Sequence, residues 1–168
     1  MNRYTVAVLV KNQYGVLNRV TSMFRRRQFN INTLSVSETE TTELSRITVT
    51  FGGEKTSKDQ LINQLYKLPD VCSIKEFTPD NSLSCELLLI KMKNDAATRS
   101  EIQAAVTGFG AETVEYSKDS IVLRYTGDTR KVDEFIELMR DFTILEICRS
   151  GSLSLEKGST TINQVIRY

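Results

Sequence analysis

The stretch YTVAVLVKNQYGVLNRVTSMFRRRQFNIN, Tyr4 to Asn32, sets the reading of the whole chain. From Tyr4 to Val10 the residues Val6, Val8 and Val10 share one face and Ala7 and Leu9 the other, the pattern of a central strand covered on both sides. Asn12-Gln13-Tyr14-Gly15 interrupts it. Beyond the break, Val16, Leu17, Val20, Met23, Phe24 and Arg27 fall on one helical stripe whose first five members are apolar, which predicts a helix packed on a sheet.

Working outward, Leu34 and Val36 alternate with Ser35 and Ser37, and Ile47, Val49 and Phe51 alternate with Arg46, Thr48 and Thr50. The polar run Glu38 to Glu43 lies between them, so two antiparallel strands follow the helix. Ser57 with Gln60 fits a capping box, and Leu61, Ile62, Leu65 and Leu68 form a second stripe that Pro69 ends. Val71 to Phe77 closes the unit as a fourth strand. The order β-α-β-β-α-β is the ferredoxin-like split arrangement, with both helices on one face of an antiparallel sheet and the other face uncovered.

Pro79-Asp80-Asn81-Ser82 reads as the linker, because it joins a proline to turn-forming polar residues between two apolar runs. The same order then recurs. Leu87 to Met92 is a strand, and a helix starts at the Thr98/Glu101 capping box, buries Ile102, Ala105, Val106 and Phe109, and is stopped by Gly108 and Gly110. Thr113 to Tyr116 and Ile121 to Tyr125 read as a hairpin. Val132, Phe135, Ile136 and Met139 mark another amphipathic helix, and Ile144 to Cys148 the closing strand. Gly151 to Gly158 extends an edge strand, whereas the tail 159–168 has no period and is expected to be disordered. The fold class is therefore α+β, two ferredoxin-like domains over 1–78 and 83–158.

Composition narrows the chemistry. Of 168 residues, 40% are hydrophobic and 26% charged, as in a globular protein. Twenty-two basic and twenty-one acidic residues leave a formal charge of +1, so no global field favours nucleic acid or an anionic membrane. Cys72, Cys85 and Cys148 are odd in number and lack a CxxC spacing, which argues against a disulfide framework and a zinc site and for a reducing cytoplasm. No secretory signal or membrane-length apolar run is present. The chain has no His, which removes the commonest general base and metal ligand and disfavours catalysis.

Among specific features, Arg25-Arg26-Arg27 occupies a predicted helix C-terminus, where cations complement the macrodipole. Gly108-Phe109-Gly110 lacks the third glycine of a dinucleotide fingerprint and ends a helix instead of opening one. Glu134 and Glu137 sit on a solvated helix face. The turn at Asn12 to Gly15 is different. Gly15 lets the backbone turn tightly, the helix behind it aims unpaired N–H groups at a carboxylate, and Asn12 offers a donor and an acceptor to a zwitterion. The same turn is also simply a good strand-to-helix connection.

These residues resemble a known family. Asn12-x-x-Gly15-x-Leu17-x-Arg19-Val20, Phe24-x-x-Arg27-x-x-Asn30-Ile31, Leu34-x-Val36 and Ser45-Arg46-Ile47-Thr48 resemble the N-terminal ACT domain of the small, regulatory subunit of acetohydroxyacid (acetolactate) synthase. Leu65-x-Lys67-Leu68-x-Asp70-Val71 resembles the end of that domain, Glu86 to Lys91 the start of the family's second domain, and Arg149-Ser150-Gly151 its closing signature. Gln28, where the family usually has Gly, and Asn18, where a Ser is common, depart from the pattern.

The resemblance implies a cytoplasmic, non-catalytic subunit in branched-chain amino acid biosynthesis. It activates a separate catalytic subunit that carries thiamine diphosphate, Mg and FAD, this chain holding no cofactor or metal, and it relays feedback inhibition by valine or a related amino acid. It further implies a homodimer through the ACT domains, with the effector held between Asn12, Gly15, Val16 and Leu17 of one chain and Asn30 and Ile31 of the other. Three other readings remain: a stand-alone amino-acid sensor; an RNA-binding module, which should display more stacking aromatics than the one Phe of Arg46 to Phe51; and a small hydrolase, which lacks an activated nucleophile.

Overall fold

The structure, a computed structural model, describes residues 2–164. The first half carries β1 (Asn2–Lys11), α1 (Val16–Arg26), β2 (Ile31–Glu38), β3 (Leu44–Gly53), α2 (Lys55–Leu65) and β4 (Val71–Phe77). The second carries β5 (Ser82–Lys93), α3 (Arg99–Phe109), β6 (Glu112–Tyr116), β7 (Ser120–Gly127), α4 (Thr129–Met139), β8 (Ile144–Arg149) and β9 (Leu153–Glu156), followed by a 3-10 turn at Ile162–Gln164. The strand orders β2-β3-β1-β4 and β6-β7-β5-β8 are the same order repeated, so the predicted pair of ferredoxin-like folds is present.

β1 is central because it pairs antiparallel with β3 on one side and β4 on the other. Its register sets Val6 opposite Val49 and Val8 opposite Ile47, which puts the β-branched residues of both strands on the helix side. There they meet Val16, Val20 and Phe24 of α1 and Leu61 and Leu65 of α2 in one buried core. Phe51 closes one end of this core, with the rings of Phe24 and Phe29 5.3 and 5.1 Å away, both edge-on. Gly53 is required beside them: a Cβ there would stand 2.5 Å from Phe29 Cε1.

The second core is built alike from Leu88, Ile90 and Met92 of β5, Leu123 and Tyr125 of β7, Ile102 and Val106 of α3, and Val132, Phe135 and Met139 of α4. Glu86, 1% exposed, is taken up by Arg149 through bonds of 2.5 and 3.0 Å, and Arg149 also reaches Asp133 at 2.8 Å. These carboxylates, Glu86 foremost, raise the Arg149 pKa against the opposing effect of burial.

Several local expectations need correction. α2 starts at Lys55, with Glu54 before it and no side-chain cap, so Ser57 is inside the helix and the Ser57/Gln60 box is not formed. Thr98 does precede α3 but makes no side-chain cap bond. Asp95 organises that entry instead, its carboxylate accepting from Ala97 N–H and its carbonyl from Thr98 and Arg99 N–H. Gly108 lies within α3, and Gly110, at φ 69°, ends it. α4 has a cap the sequence reading did not place, Asp128, whose carboxylate accepts from Lys131 N–H at 2.9 Å.

The larger corrections concern the C-terminal segment. The chain divides into compact units Met1–Leu83 with Ser152–Tyr168, and Ser84–Gly151. The expected disorder of 159–168 does not hold for 159–164, while 165–168 lie outside the described residues. Ser73 Oγ donates to the Ile162 carbonyl at 2.8 Å, Asn163 Nδ2 to Glu40 at 3.2 Å, and Arg46 to the Ser154 carbonyl. Lys75 pairs with Glu156 at 2.7 Å. Arg46 and Ser73 both lie opposite Leu9, and Lys75 opposite Ala7, so these contacts are on the sheet face away from the helices. That face was expected to be open. Leu9 there is 3% and Thr48 3% exposed.

Candidate functional site

The turn between β1 and α1 is tied from several sides. Lys11 N–H donates to the Asp70 carbonyl, Asn12 N–H to Glu43, Gln13 N–H to Lys11 and Val16 N–H to Gln13, before Arg19 N–H makes the first helical bond, to Gly15. Gly15 stands at φ 80°, ψ −5°, in the left-handed region where a side chain is strained. Among the described residues the N–H groups of Leu17 and Asn18 have no acceptor, so two donors are free where the helix dipole is positive.

Each predicted residue has a distinct place. The Asn12 amide group is already engaged, donating to Glu38 Oε1 at 3.1 Å and to the Thr42 carbonyl at 2.9 Å, so it clamps the β2–β3 loop and only its Oδ1 is left to accept. Val16 is 2% exposed, a core residue whose side chain faces the sheet, whereas Leu17, predicted in the buried stripe, is 41% exposed. Leu17 is therefore the apolar group that this end of the helix presents.

Asn30 and Ile31 are at the opposite end of α1. The helix closes with Gln28 N–H on the Arg25 carbonyl and Phe29 N–H on the Phe24 carbonyl, the two bonds of a Schellman motif. Such a motif needs a left-handed residue. Gln28 supplies it at φ 58°, the single non-glycine residue with positive φ among the described residues. That explains physically why a glycine suits this position. Asn30 follows, exposed, and its amide has no partner among the described residues. Eleven helical residues put the two halves of the predicted site about 16 Å apart, so one chain does not bring them together.

One residue of the motif was not assigned to the site from sequence. Arg19 Nε and Nη2 hold Asp70 Oδ2 at 2.8 and 2.7 Å, and its Nη1 lies 3.4 Å from where a Gly15 Cβ would be. Helical side chains lean toward the N-terminus, so a residue four after the cap covers the turn. That spacing was the available signal. The other candidates behave as predicted: Arg25 and Arg26 end α1, and Glu134 and Glu137 pair with Arg130 and Arg140 on the surface. Among the described residues no three Cys, Asp or Glu side chains gather as metal ligands, and no helix is long and apolar enough to cross a membrane.

Comparison with known proteins places both halves. Residues 6–73 match the family described as the AHAS small subunit-like ACT domain, and residues 85–158 the family described as small subunit of acetolactate synthase. The chain is 40% identical over 162 residues to an acetolactate synthase small subunit of Mycobacterium leprae, covering 96% of each. It is 41% identical over 157 residues to a probable acetolactate synthase small subunit of Archaeoglobus fulgidus, covering 94% of this chain and 98% of that one. It is also similar to the crystal structure of an acetolactate synthase small subunit from Thermotoga maritima, with a TM-score of 0.86, 31% identity, and coverage of 95% and 100%. Two matched halves in one continuous, full-length alignment place this chain in the acetolactate synthase small-subunit family, with an ACT domain first.

Proposed function

We propose that this chain is the regulatory subunit of a thiamine-diphosphate-dependent acetolactate synthase, activating the catalytic subunit and conferring inhibition by a branched-chain amino acid, valine foremost. The observation that carries the effector reading is the split site: the Gly15 turn at one end of α1 and Asn30 at the other, each presenting unspent hydrogen-bonding groups. A second copy can bring its Asn30 to the first copy's Gly15. β2 supports this, being an edge strand with Leu34 37% and Val36 43% exposed on the helix-side face, while Leu17 of α1 is exposed as well.

In the resulting pocket the effector carboxylate takes the N–H groups of Leu17 and Asn18, the ammonium meets Asn12 Oδ1 and Asn30 Oδ1, and Leu17 and Ile31 select an apolar side chain. Thiamine diphosphate, Mg and FAD belong to the catalytic partner in this reading. The test is a synthase assay of that partner with and without this chain, titrated with valine, leucine and isoleucine. The expected result is a faster rate that valine then lowers. A catalytic subunit indifferent to the added chain refutes the activation, and a chain that stays monomeric by light scattering with valine present refutes the shared site.

A further inference from the structure

On the sheet face away from α1, the C-terminal segment borders a partly open cavity of about 330 Å³. Arg46, Lys75 and Phe77 line it from the sheet, and Leu155, Glu156 and Thr160 from the segment. Its charges are balanced but not all paired. Lys75 takes Glu156 Oε1, while Glu156 Oε2 is buried and without a partner among the described residues. Arg46 lies over the Phe77 ring, 5.5 Å from its centroid, and donates to the Ser154 carbonyl. Its other N–H groups find no hydrogen-bond acceptor among the described residues.

We propose that this cavity binds a small zwitterion, an α-amino acid whose carboxylate meets Arg46 and whose ammonium group meets Glu156 Oε2. An orphaned carboxylate oxygen calls for a donor, and a guanidinium with spare N–H groups calls for an anion. Burial lowers the Arg46 pKa, with Glu40 opposing, so a ligand carboxylate would relieve a desolvated cation. Because Glu40 and Glu156 offset Arg46 and Lys75, a ligand with net charge would leave the site unbalanced. The volume is enough for an amino acid. Phe77 and Leu155 favour an apolar side chain. The site is separate from the Gly15–Asn30 site and does not depend on it.

Titration of the ¹⁵N-labelled full chain with L-leucine, and separately with 4-methylpentanoate and 3-methylbutylamine, tests this by amide shifts. L-leucine is expected to give saturable shifts at Arg46 and across 155–163, with each singly charged probe about ten-fold weaker or more. Glu156→Gln should weaken the response about ten-fold. Since that variant also removes the partner of Lys75, Thr160→Phe provides the second arm, filling the cavity with the ion pair intact and abolishing the response. Shifts confined to the Gly15 turn and Asn30 would overturn this site and leave the effector reading standing. A singly charged probe that binds as well as leucine, or a Thr160→Phe chain that responds normally, would overturn it too.

Discussion

Gly15→Asp addresses the proposed effector site most directly. The new Cβ would stand 3.4 Å from Arg19 Nη1, so the added carboxylate falls beside a guanidinium and over the free N–H groups of Leu17 and Asn18. It would thus occupy the position assigned to the effector's carboxylate. Two carboxylates about 4 Å apart repel by ~4 kcal/mol at an effective dielectric of about 20, and by ~1 kcal/mol if water screens them fully. Valine affinity should fall by about five-fold at the least and about a thousand-fold if the dimer excludes water. The substitution also puts a side chain at φ 80°, at a cost of about 1–2 kcal/mol, which lowers Tm by about 2–8 °C in a chain of this length. Calorimetric binding of valine, read beside the melting curve, separates the two effects. Asn30→Ala is the gentler companion, removing one contact and adding no charge. Activation of the catalytic subunit should survive both. Wild-type valine affinity in a folded Gly15→Asp protein would show that the site is elsewhere, and loss of activation in both variants would show that the two functions are not separable.

Gln28→Gly should stabilise the chain by about 0.5–1 kcal/mol, because relief of the left-handed strain at φ 58° exceeds the added unfolded-state entropy; a fall in the urea midpoint would contradict this. Glu86→Ala should cost about 2–4 kcal/mol, less than a fully buried pair, since Arg149 keeps Asp133 and is 28% exposed; an unchanged midpoint would mean that the pair contributes nothing. Lys58 carries a raised pKa: burial lowers it, but the bonds to Glu76 and Asp59 outweigh that effect. A raised folded pKa stabilises fully below the unfolded value of about 10.4 and loses that effect as pH rises through the folded one. Unfolding free energies of the wild type and Lys58→Met, measured from pH 8 to 12, should therefore converge only at the alkaline end; a constant gap would refute the linkage.

The sequence alone determined the two β-α-β-β-α-β units. Alternation in Ile47, Val49 and Phe51 and the stripe of Val20, Met23 and Phe24 are local signals, set by the periods of strand and helix. It also determined the family, because motifs from Asn12 to Gly151 recur at fixed spacing. Neither signal reports which neighbour a polar atom finds. Only the tertiary structure decided that the Asn12 amide clamps Glu38 and Thr42, that Val16 is core while Leu17 is outside, and that Arg19 lies over Gly15 on Asp70. Each of these depends on a partner 26 or more residues away or on helix rotation against the sheet. The C-terminal segment makes the same point most strongly. Residues 159–164 have no period of their own, and the segment from Ser154 to Ile162 is held by Arg46, Ser73 and Lys75, three side chains that reach the same face only through the register of β3, β1 and β4.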